Sequence, residues 1–146
     1  MKIEQAELFS KEHTAALKLR KQLLGGKIDW DQERNLTVFV AIEQGEVVGT
    51  AAVQLYPFSI ARIRQVAVAP EQQVRKIGAQ LMGQCEAFAQ AQGQVRIVLT
   101  ARKSAQAFYQ KRKYKPIFWT FKKHTIAFVW MIKEIAIAPV PALFHQ

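Results

Sequence analysis

The segment that decides the fold runs from residue 66 to residue 78 and reads Val66-Ala67-Val68-Ala69-Pro70-Glu71-Gln72-Gln73-Val74-Arg75-Lys76-Ile77-Gly78. It begins as a strand, which Pro70 ends because proline cannot donate to a ladder. A polar and basic loop follows, and Gly78 lies at the start of an amphipathic helix. Free N–H groups and the helix dipole favour an anion such as a pyrophosphate there. Many helices start this way and bind nothing, so the residues alone leave a phosphate site open.

Downstream of this segment, apolar spacing predicts a helix over Lys76–Ala91 that ends at Gly93. A short buried strand, Val95–Leu99, and a second helix, Lys103–Lys111, come next. Two strands close the pattern, Lys115–Phe121 and Ile126–Lys133.

Upstream, a strand at the N-terminus precedes a helix over Ser10–Leu24, with Ser10 as N-cap and Gly25-Gly26 as its stop. Residues 27–35 are polar and predict a loop or a short helix. Three strands follow: Thr37–Ile42, Val47–Leu55 and Arg62–Val68. The order βαβββαβαββ predicts an α+β (mixed α/β) fold with a central, mostly antiparallel mixed sheet and helices on both faces.

The length of 146 residues, half of them hydrophobic, predicts one domain over 1–146. Residues 136–146 contain Pro139 and Pro141 and predict an irregular tail. The sequence contains neither an apolar run of about 20 residues nor a leader, so we expect a cytoplasmic protein without a membrane partner. The single cysteine, Cys85, lies among apolar residues and is expected to be a buried small hydrophobe.

The formal net charge of +10 is concentrated in one half of the chain. No Asp or Glu occurs between Ala87 and Lys133, a stretch that holds ten cations: Arg96, Arg102, Lys103, Lys111, Arg112, Lys113, Lys115, Lys122, Lys123 and Lys133. Such a half predicts either an acidic partner, whether a macromolecule or a phosphorylated cofactor, or a solvated face that keeps the protein soluble.

The segment Val66–Glu71 followed by Gln73-x-x-x-x-Gly78 resembles the acetyl-CoA-binding motif of the GNAT N-acetyltransferases, Gln/Arg-x-x-Gly-x-Gly/Ala. Leu99, Ala101 and the run Ala105–Tyr109 are similar to that family's later strand and helix. The text Glu46-Val47-Val48-Gly49-Thr50-Ala51 is similar to its second strand. The resemblance spans about Thr37 to Lys133 and implies the acyl-CoA N-acyltransferase fold, with acetyl-CoA as co-substrate and no metal.

The resemblance also implies where the cofactor binds. Backbone groups of Val66, Ala67 and Val68 would contact the pantetheine arm. The pyrophosphate would contact the loop and helix start: Gln73, Val74, Arg75, Lys76, Ile77, Gly78 and Ala79. Ser104 stands where the family often has Asn.

In the same resemblance Tyr109 takes the place of the general acid, which returns a proton to the CoA thiolate. Its high ordinary pKa suits that task. The residues alone favour a different interpretation, in which Tyr109 is an aromatic core residue of a helix. The general base stays open among Glu71, His124 and a bound water. Asp29, Asp31 and Glu33 form either an acidic loop that receives a cationic amine or a solvated loop.

Lys76 and Lys113 stand where the family usually has glycine. If the φ angle at residue 76 is negative, the lysine turns outward or contacts a phosphate. If it is positive, the loop is strained and cofactor binding weakens.

Two functions therefore compete. The first is an enzyme that transfers an acetyl group from acetyl-CoA to a primary amine of a small molecule or protein. The second is a degenerate member that binds acyl-CoA or a polyanion without catalysis. The aromatic last hairpin indicates either core packing or a homodimer interface.

Overall fold

A computed structural model describes residues 1–135, and the irregular tail expected over 136–146 lies outside the described residues. The side chains of residues 73–75 are also outside that description. Within the described residues, seven strands and four α-helices follow one another in the order that the sequence predicts, and the segment expected to be a loop or a short helix contains a short helix. Their bounds are β1 Lys2–Ala6, α1 Lys11–Leu24, α2 Trp30–Glu33, β2 Leu36–Glu43, β3 Glu46–Tyr56, β4 Ile60–Val68, α3 Ile77–Ala91, β5 Arg96–Arg102, α4 Gln106–Lys111, β6 Lys115–Lys123 and β7 Ile126–Glu134.

The strands form one mixed sheet in the order β1-β2-β3-β4-β5-β7-β6. Only β4 and β5 are parallel, and every other neighbouring pair is antiparallel. The connection between the parallel strands contains α3, as a crossover requires. This confirms the predicted α+β fold.

Helices cover both faces of the sheet. On one face Ala16 of α1 packs against Val38, Val40 and Ala52. On the other face α3 buries its apolar stripe, including Ile77, Leu81, Met82, Cys85 and Ala89. The alternation of side chains along β2 and β3 places these two clusters on opposite sides.

The helix ends follow the signals in the sequence. The Ser10 hydroxyl accepts a hydrogen bond from His13 N at 3.1 Å and caps α1. Gly93 has φ 79°, and the N–H groups of Gly93 and Gln94 donate to the carbonyls of Gln90 and Ala89, which closes α3 with a Schellman motif. Two predicted helices begin later than expected: Lys103–Ala105 form a 3-10 turn before α4, and α3 starts at Ile77.

Cys85 is completely buried in the core, as the sequence predicts. Burial raises the pKa of its thiol, with a further contribution from the charge of Glu86. This thiol is therefore not a nucleophile. Among residues 1–135, the helices are too short or too polar to cross a bilayer.

Candidate active site

A cleft opens where the parallel strands β4 and β5 separate. Their pairing ends at Arg62 and Val98, although β4 continues to Val68 and β5 to Arg102. The space between them forms a cleft of about 550 Å³. Because the β4–β5 ladder stops at Arg62, β5 does not pair with β4 along Ile63–Ala67. A ligand in the cleft can therefore hydrogen bond to main-chain groups of that strand.

A β-bulge in β4 lies at the wall of this cleft. The register with β3 shifts between Thr50, which faces Ala67, and Ala52, which faces Arg64. Gln65 and Val66 therefore share one partner, and Gln65 has the left-handed φ of 57°. The bulge reverses the alternation of side chains, so that Val66 packs against the α3 core while Arg62 and Arg64 face away from it.

The connection from β4 to α3 is a 3-10 turn, Pro70–Arg75, that leads into the α3 N-terminus. Lys76 occupies the N-cap position with φ 60° and ψ 23°, and no side chain caps the helix. The N–H groups of Ile77, Gly78 and Ala79 are the first of α3 and have no partner within the helix. They are free to bind an anion with the help of the helix dipole.

Tyr109 of α4 lines the cleft from the β5 side and is 9% exposed. The centroid of its ring lies 5.0 Å from the ring centroid of Phe108 and 5.9 Å from that of Tyr114, and both contacts are edge-on. Burial, and then the nearby Cys85, raise the pKa of Tyr109 to about 12. The hydroxyl therefore stays protonated throughout the neutral range and is available as a proton donor.

The acetyltransferase (GNAT) family profile matches residues 3–114, which is most of the chain. The chain belongs to the GNAT acetyltransferase family. No curated protein sequence matches it significantly.

Solved structures agree on the fold at low sequence identity. An aminoglycoside 6′-N-acetyltransferase in complex with coenzyme A superposes with a TM-score of 0.77 at 16% identity, covering 96% of this chain and 100% of the other. A GNAT acetyltransferase from Elizabethkingia anophelis with acetyl-CoA bound gives 0.76 at 16%, covering 92% and 97%. The ribosomal-protein-S18-alanine N-acetyltransferase from Escherichia coli gives 0.74 at 15%, covering 94% and 97%.

The structure brings part of the expected cofactor site together. Val66, Ala67 and Val68 line the cleft. The side chain of Ile77 is fully buried in the core, so only its backbone is free for a ligand. Gly78 and Ala79 are half-buried at the helix start. The side-chain contacts expected of Gln73, Val74 and Arg75 lie outside the described structure.

Ser104 does not line the cleft; its side chain is exposed, and the neighbouring Ala105 lines the cleft instead. The 3-10 turn Lys103–Ala105 moves the start of the α-helix past Ser104, which explains the difference. The expected contact of Ser104 stays a prediction.

The two departures from the GNAT pattern share one backbone conformation. Lys76 has φ 60° and Lys113 has φ 76°. Lys113 is the left-handed residue of a Schellman motif, because its N–H donates to Gln110 O at 3.0 Å and Tyr114 N donates to Tyr109 O at 3.1 Å. Both positions use a conformation that costs an L-residue about 1–2 kcal/mol and glycine much less. The alternative with a negative φ at Lys76 is therefore wrong.

None of the three acidic residues of the loop lines the cleft, and their surroundings differ. Glu33 is 4% exposed, and its two oxygens contact Arg20 Nη1 at 2.8 Å and His13 Nε2 at 3.0 Å. Both interpretations of Glu33, as an amine receptor and as a solvated residue, are therefore wrong. Asp29 caps α2 through the Gln32 N–H, and Asp31 is 96% exposed beside Arg34. For Asp31 the solvated interpretation is confirmed.

Neither candidate base lines the cleft. Glu71 is exposed in the 3-10 turn, and His124 is exposed in the β6–β7 turn. Among the described residues that line the cleft, none is Asp, Glu or His. No side chain of the described cleft is therefore placed to accept the proton of an amine.

The basic half of the chain is divided among several roles. Arg112 and Lys133 both pair with Glu86, at 2.6 and 3.1 Å, and Arg96 pairs with Glu134 at 3.6 Å. Arg102 and Lys123 line the cleft. The other five, Lys103, Lys111, Lys113, Lys115 and Lys122, are exposed.

Sequence reasoning missed half of the cleft wall. The missed residues are Leu23, Leu24, Arg62, Ile63, Arg64, Gln65, Thr100 and Phe128. One signal was present, because Arg62 and Arg64 alternate with the apolar Ala61 and Ile63 at strand period. In a central strand, two arginines on one face indicate a polar site.

Proposed function

We propose that this GNAT protein transfers an acetyl group from acetyl-CoA directly to a primary amine of a small molecule or a protein. The observation that carries the proposal is the separation of β4 from β5 beyond Arg62, with Tyr109 in the wall of the resulting cleft. The family and the fold of proteins solved with CoA or acetyl-CoA support it. The cytoplasmic location expected from the sequence is part of the proposal, and cell fractionation tests it.

The chain offers main-chain partners along the whole length of the cofactor. Backbone groups of Val66, Ala67 and Val68, along the side of β4 that faces the cleft, would hydrogen bond with the amides of the pantetheine arm, as an added strand does. The pyrophosphate would bind at the uncapped N–H groups of Ile77, Gly78 and Ala79. Arg102 and Lys123, at the rim of the cleft, would add charge for the phosphates.

The chemistry then needs no protein nucleophile. The amine nitrogen attacks the thioester carbonyl, the C–N bond forms and the C–S bond breaks. Tyr109 donates its proton to the departing thiolate and recovers one from solvent. Since no carboxylate or imidazole lines the described cleft, water accepts the proton that the amine loses.

Calorimetric titration with acetyl-CoA tests the first half of this proposal, and mass spectrometry of amine products tests the second. We expect acetyl-CoA to bind. We also expect the mass of the acceptor to rise by about 42 units, because an acetyl group replaces one hydrogen of the amine. Absence of binding at millimolar acetyl-CoA would overturn the proposal.

One observation favours the second candidate, an acyl-CoA-binding module without catalysis. Lys76 has the left-handed φ of 60° in the phosphate loop, where the GNAT pattern has glycine. Binding of acetyl-CoA without turnover on any amine would support that candidate. Binding of a polyanion such as heparin through the exposed lysines would extend it, and its affinity would fall steeply with salt.

We also propose that the outer hairpin joins two copies of the chain. Phe118 and Trp119 are 75% and 81% exposed on β6, the edge strand of the sheet. The register of β6 with β7 shifts between Ile117 and Phe121, which releases both rings from the core. Light scattering of the wild type and of a Phe118→Ser/Trp119→Ser double variant tests this, with a dimer expected only for the wild type.

A further inference from the structure

We infer that the acceptor is a small amine that also carries an anionic group, a carboxylate or a phosphate, and that Arg62 and Arg64 bind this group. The inference rests on the proposed acetyl transfer and names its acceptor class. It is carried by the charge of the cleft and by the partners of the two arginines.

The charged side chains of the cleft have one sign. Arg62, Arg64, Arg102 and Lys123 line it, and no described lining residue is acidic. The nearest acidic side chain, Glu33, is ion-paired with Arg20 and hydrogen bonded to His13, and its charge acts on Arg64 only as the last of several influences on the pKa of that arginine. A polycationic acceptor would meet uncompensated repulsion here, whereas an anionic acceptor would be attracted.

Arg62 is the last residue of β4 that pairs with β5, and it forms no ion pair within the described residues. The Cζ of its guanidinium lies over the Trp130 ring, 4.9 Å from the ring centroid. Its Nε is buried and has no hydrogen-bond partner in the described structure. This cation–π contact holds the guanidinium beside the ring, and its N–H groups can donate to a planar or tetrahedral anion.

Arg64 is held by neutral groups. Its Nη1 donates to Gln54 Oε1 at 2.9 Å, and Gln54 Oε1 also accepts a hydrogen bond from the Tyr56 hydroxyl at 2.9 Å. With the Gln32 amide oxygen turned toward Arg64, that oxygen accepts from Nη1 and Nη2 of Arg64 at 3.0 and 3.1 Å. Burial and then the charge of Arg62 lower the pKa of Arg64. Within residues 1–135, neither Arg62 nor Arg64 forms an ion pair. An anionic group of a ligand could therefore pair with both guanidinium groups.

The anion is not a CoA phosphate. Arg62 precedes Val68, the last residue of β4, by six residues, which span roughly 20 Å in a strand. The phosphate-binding start of α3 lies beyond that end. Arg62 and Arg64 also face the side of the sheet that α1 covers, because the intervening Ile63 packs in the α3 core. They belong to the acceptor side of the cleft, where Leu23 and Leu24 of α1 form the opposite wall.

Matched amines test the inference. We compare the release of the CoA thiol from saturating acetyl-CoA with different acceptors: amino acids against their carboxamides, phosphoethanolamine against ethanolamine, and a polycationic aminoglycoside. We expect at least one anionic amine to exceed its neutral partner about tenfold or more in kcat/KM. The amino acid and phosphate arms tell the two anions apart.

Variants link the preference to the two arginines. Arg62→Gln and Arg64→Gln are each expected to reduce the preference about tenfold, with the acetyl-CoA dissociation constant unchanged. Arg62→Lys keeps a charge and should retain part of the preference. Arg96→Gln is the matched control, because Arg96 is the first residue of β5, pairs with Glu134 and does not line the cleft. This variant should change neither the preference for anionic amines nor the acetyl-CoA dissociation constant. Thermal unfolding of each variant shows that it is folded.

The outcomes are separable from those of the proposed function. Failure to bind acetyl-CoA would overturn acetyl transfer itself. Acetyl-CoA binding with equal or faster turnover of neutral or polycationic amines would overturn the anionic acceptor alone. Turnover of no anionic amine by a protein that binds acetyl-CoA would also count against it, as would an unchanged preference in both glutamine variants.

Discussion

Gly49 of β3 and Ile77 of α3 are in such close contact that a Cβ on the glycine would lie 3.1 Å from Ile77 Cγ2. The same Cβ would lie 3.0 Å from Leu81 Cδ1. The absence of a side chain at Gly49 therefore lets the first turn of α3 pack directly on the sheet. That contact places the uncapped N-terminus of α3 beside the end of β4, where the phosphate loop begins.

We expect Gly49→Ala to destabilise the protein by about 1–3 kcal/mol, because Ile77 and Leu81 must move to admit a methyl group. Urea unfolding measures the change. Gly78→Ala is the control, since its Cβ would lie 3.6 Å from Phe108 Cζ, an ordinary contact distance. We expect no loss of stability there, and an equal loss in both variants would contradict the packing argument.

Glu33→Gln should cost about 3 kcal/mol of unfolding free energy, because it removes the negative charge that pairs with the buried Arg20 and His13. Urea unfolding again gives the value. Asp31→Asn, in the same helix α2, is expected to stay within about 0.5 kcal/mol, since Asp31 is 96% exposed. A similar loss of unfolding free energy at both positions would contradict the role of the Glu33 pairs, because it would show that any substitution in α2 destabilises the protein.

The elements of the fold were predictable because their signals are local. The apolar spacing of α3, the stop at Gly93 and the proline after β4 each depend on neighbouring residues. Strand ends were less accurate where pairing decides them. The predicted end of β5 at Leu99 was three residues short, because Thr100, Ala101 and Arg102 become a strand through their pairing with β7.

The site was only partly predictable because its decisive contacts are distant in sequence. Glu33 is buried by partners 13 and 20 residues away, so a polar loop sequence could not reveal its role. The bulge at Gln65 and the separation of β4 from β5 depend on the registers of three strands. The left-handed φ of Lys76 was indicated only by the family's preference for glycine at that position.

Tyr109→Phe should lower kcat on the order of 10²-fold and leave the acetyl-CoA dissociation constant unchanged, because only the proton donor is lost. The ring contacts with Phe108 and Tyr114 remain. Since the pKa of Tyr109 is raised to about 12, the hydroxyl is protonated below that pH. The pH–rate profile of the wild type should therefore show no decline from this group near pH 10, the ordinary pKa of tyrosine.

Tyr114→Phe is the matched control for Tyr109. The Tyr114 hydroxyl donates to Glu86 Oε2 at 2.8 Å, and the residue is fully buried away from the cleft wall. We expect this variant to lose stability and to keep kcat. An unchanged kcat in Tyr109→Phe would remove Tyr109 from the mechanism.

Lys76→Gly should raise the unfolding free energy by about 1 kcal/mol, because glycine adopts the left-handed φ of 60° without the clash of a Cβ. We expect its acetyl-CoA dissociation constant to be equal to or lower than that of the wild type, since the exposed lysine side chain leaves the helix start and bare backbone takes its place. Denaturant unfolding and calorimetry measure the two quantities.

Two further variants separate the backbone from the charge at this position. Lys113→Gly relieves the same conformation, φ 76°, in the Schellman motif of α4, so it should gain similar stability without a change in acetyl-CoA affinity. Lys76→Ala removes the charge and keeps the strained φ, so its affinity should match that of the wild type. Weaker binding in both Lys76 variants, with Lys113→Gly unaffected, would instead show that the lysine ammonium binds a phosphate of the cofactor.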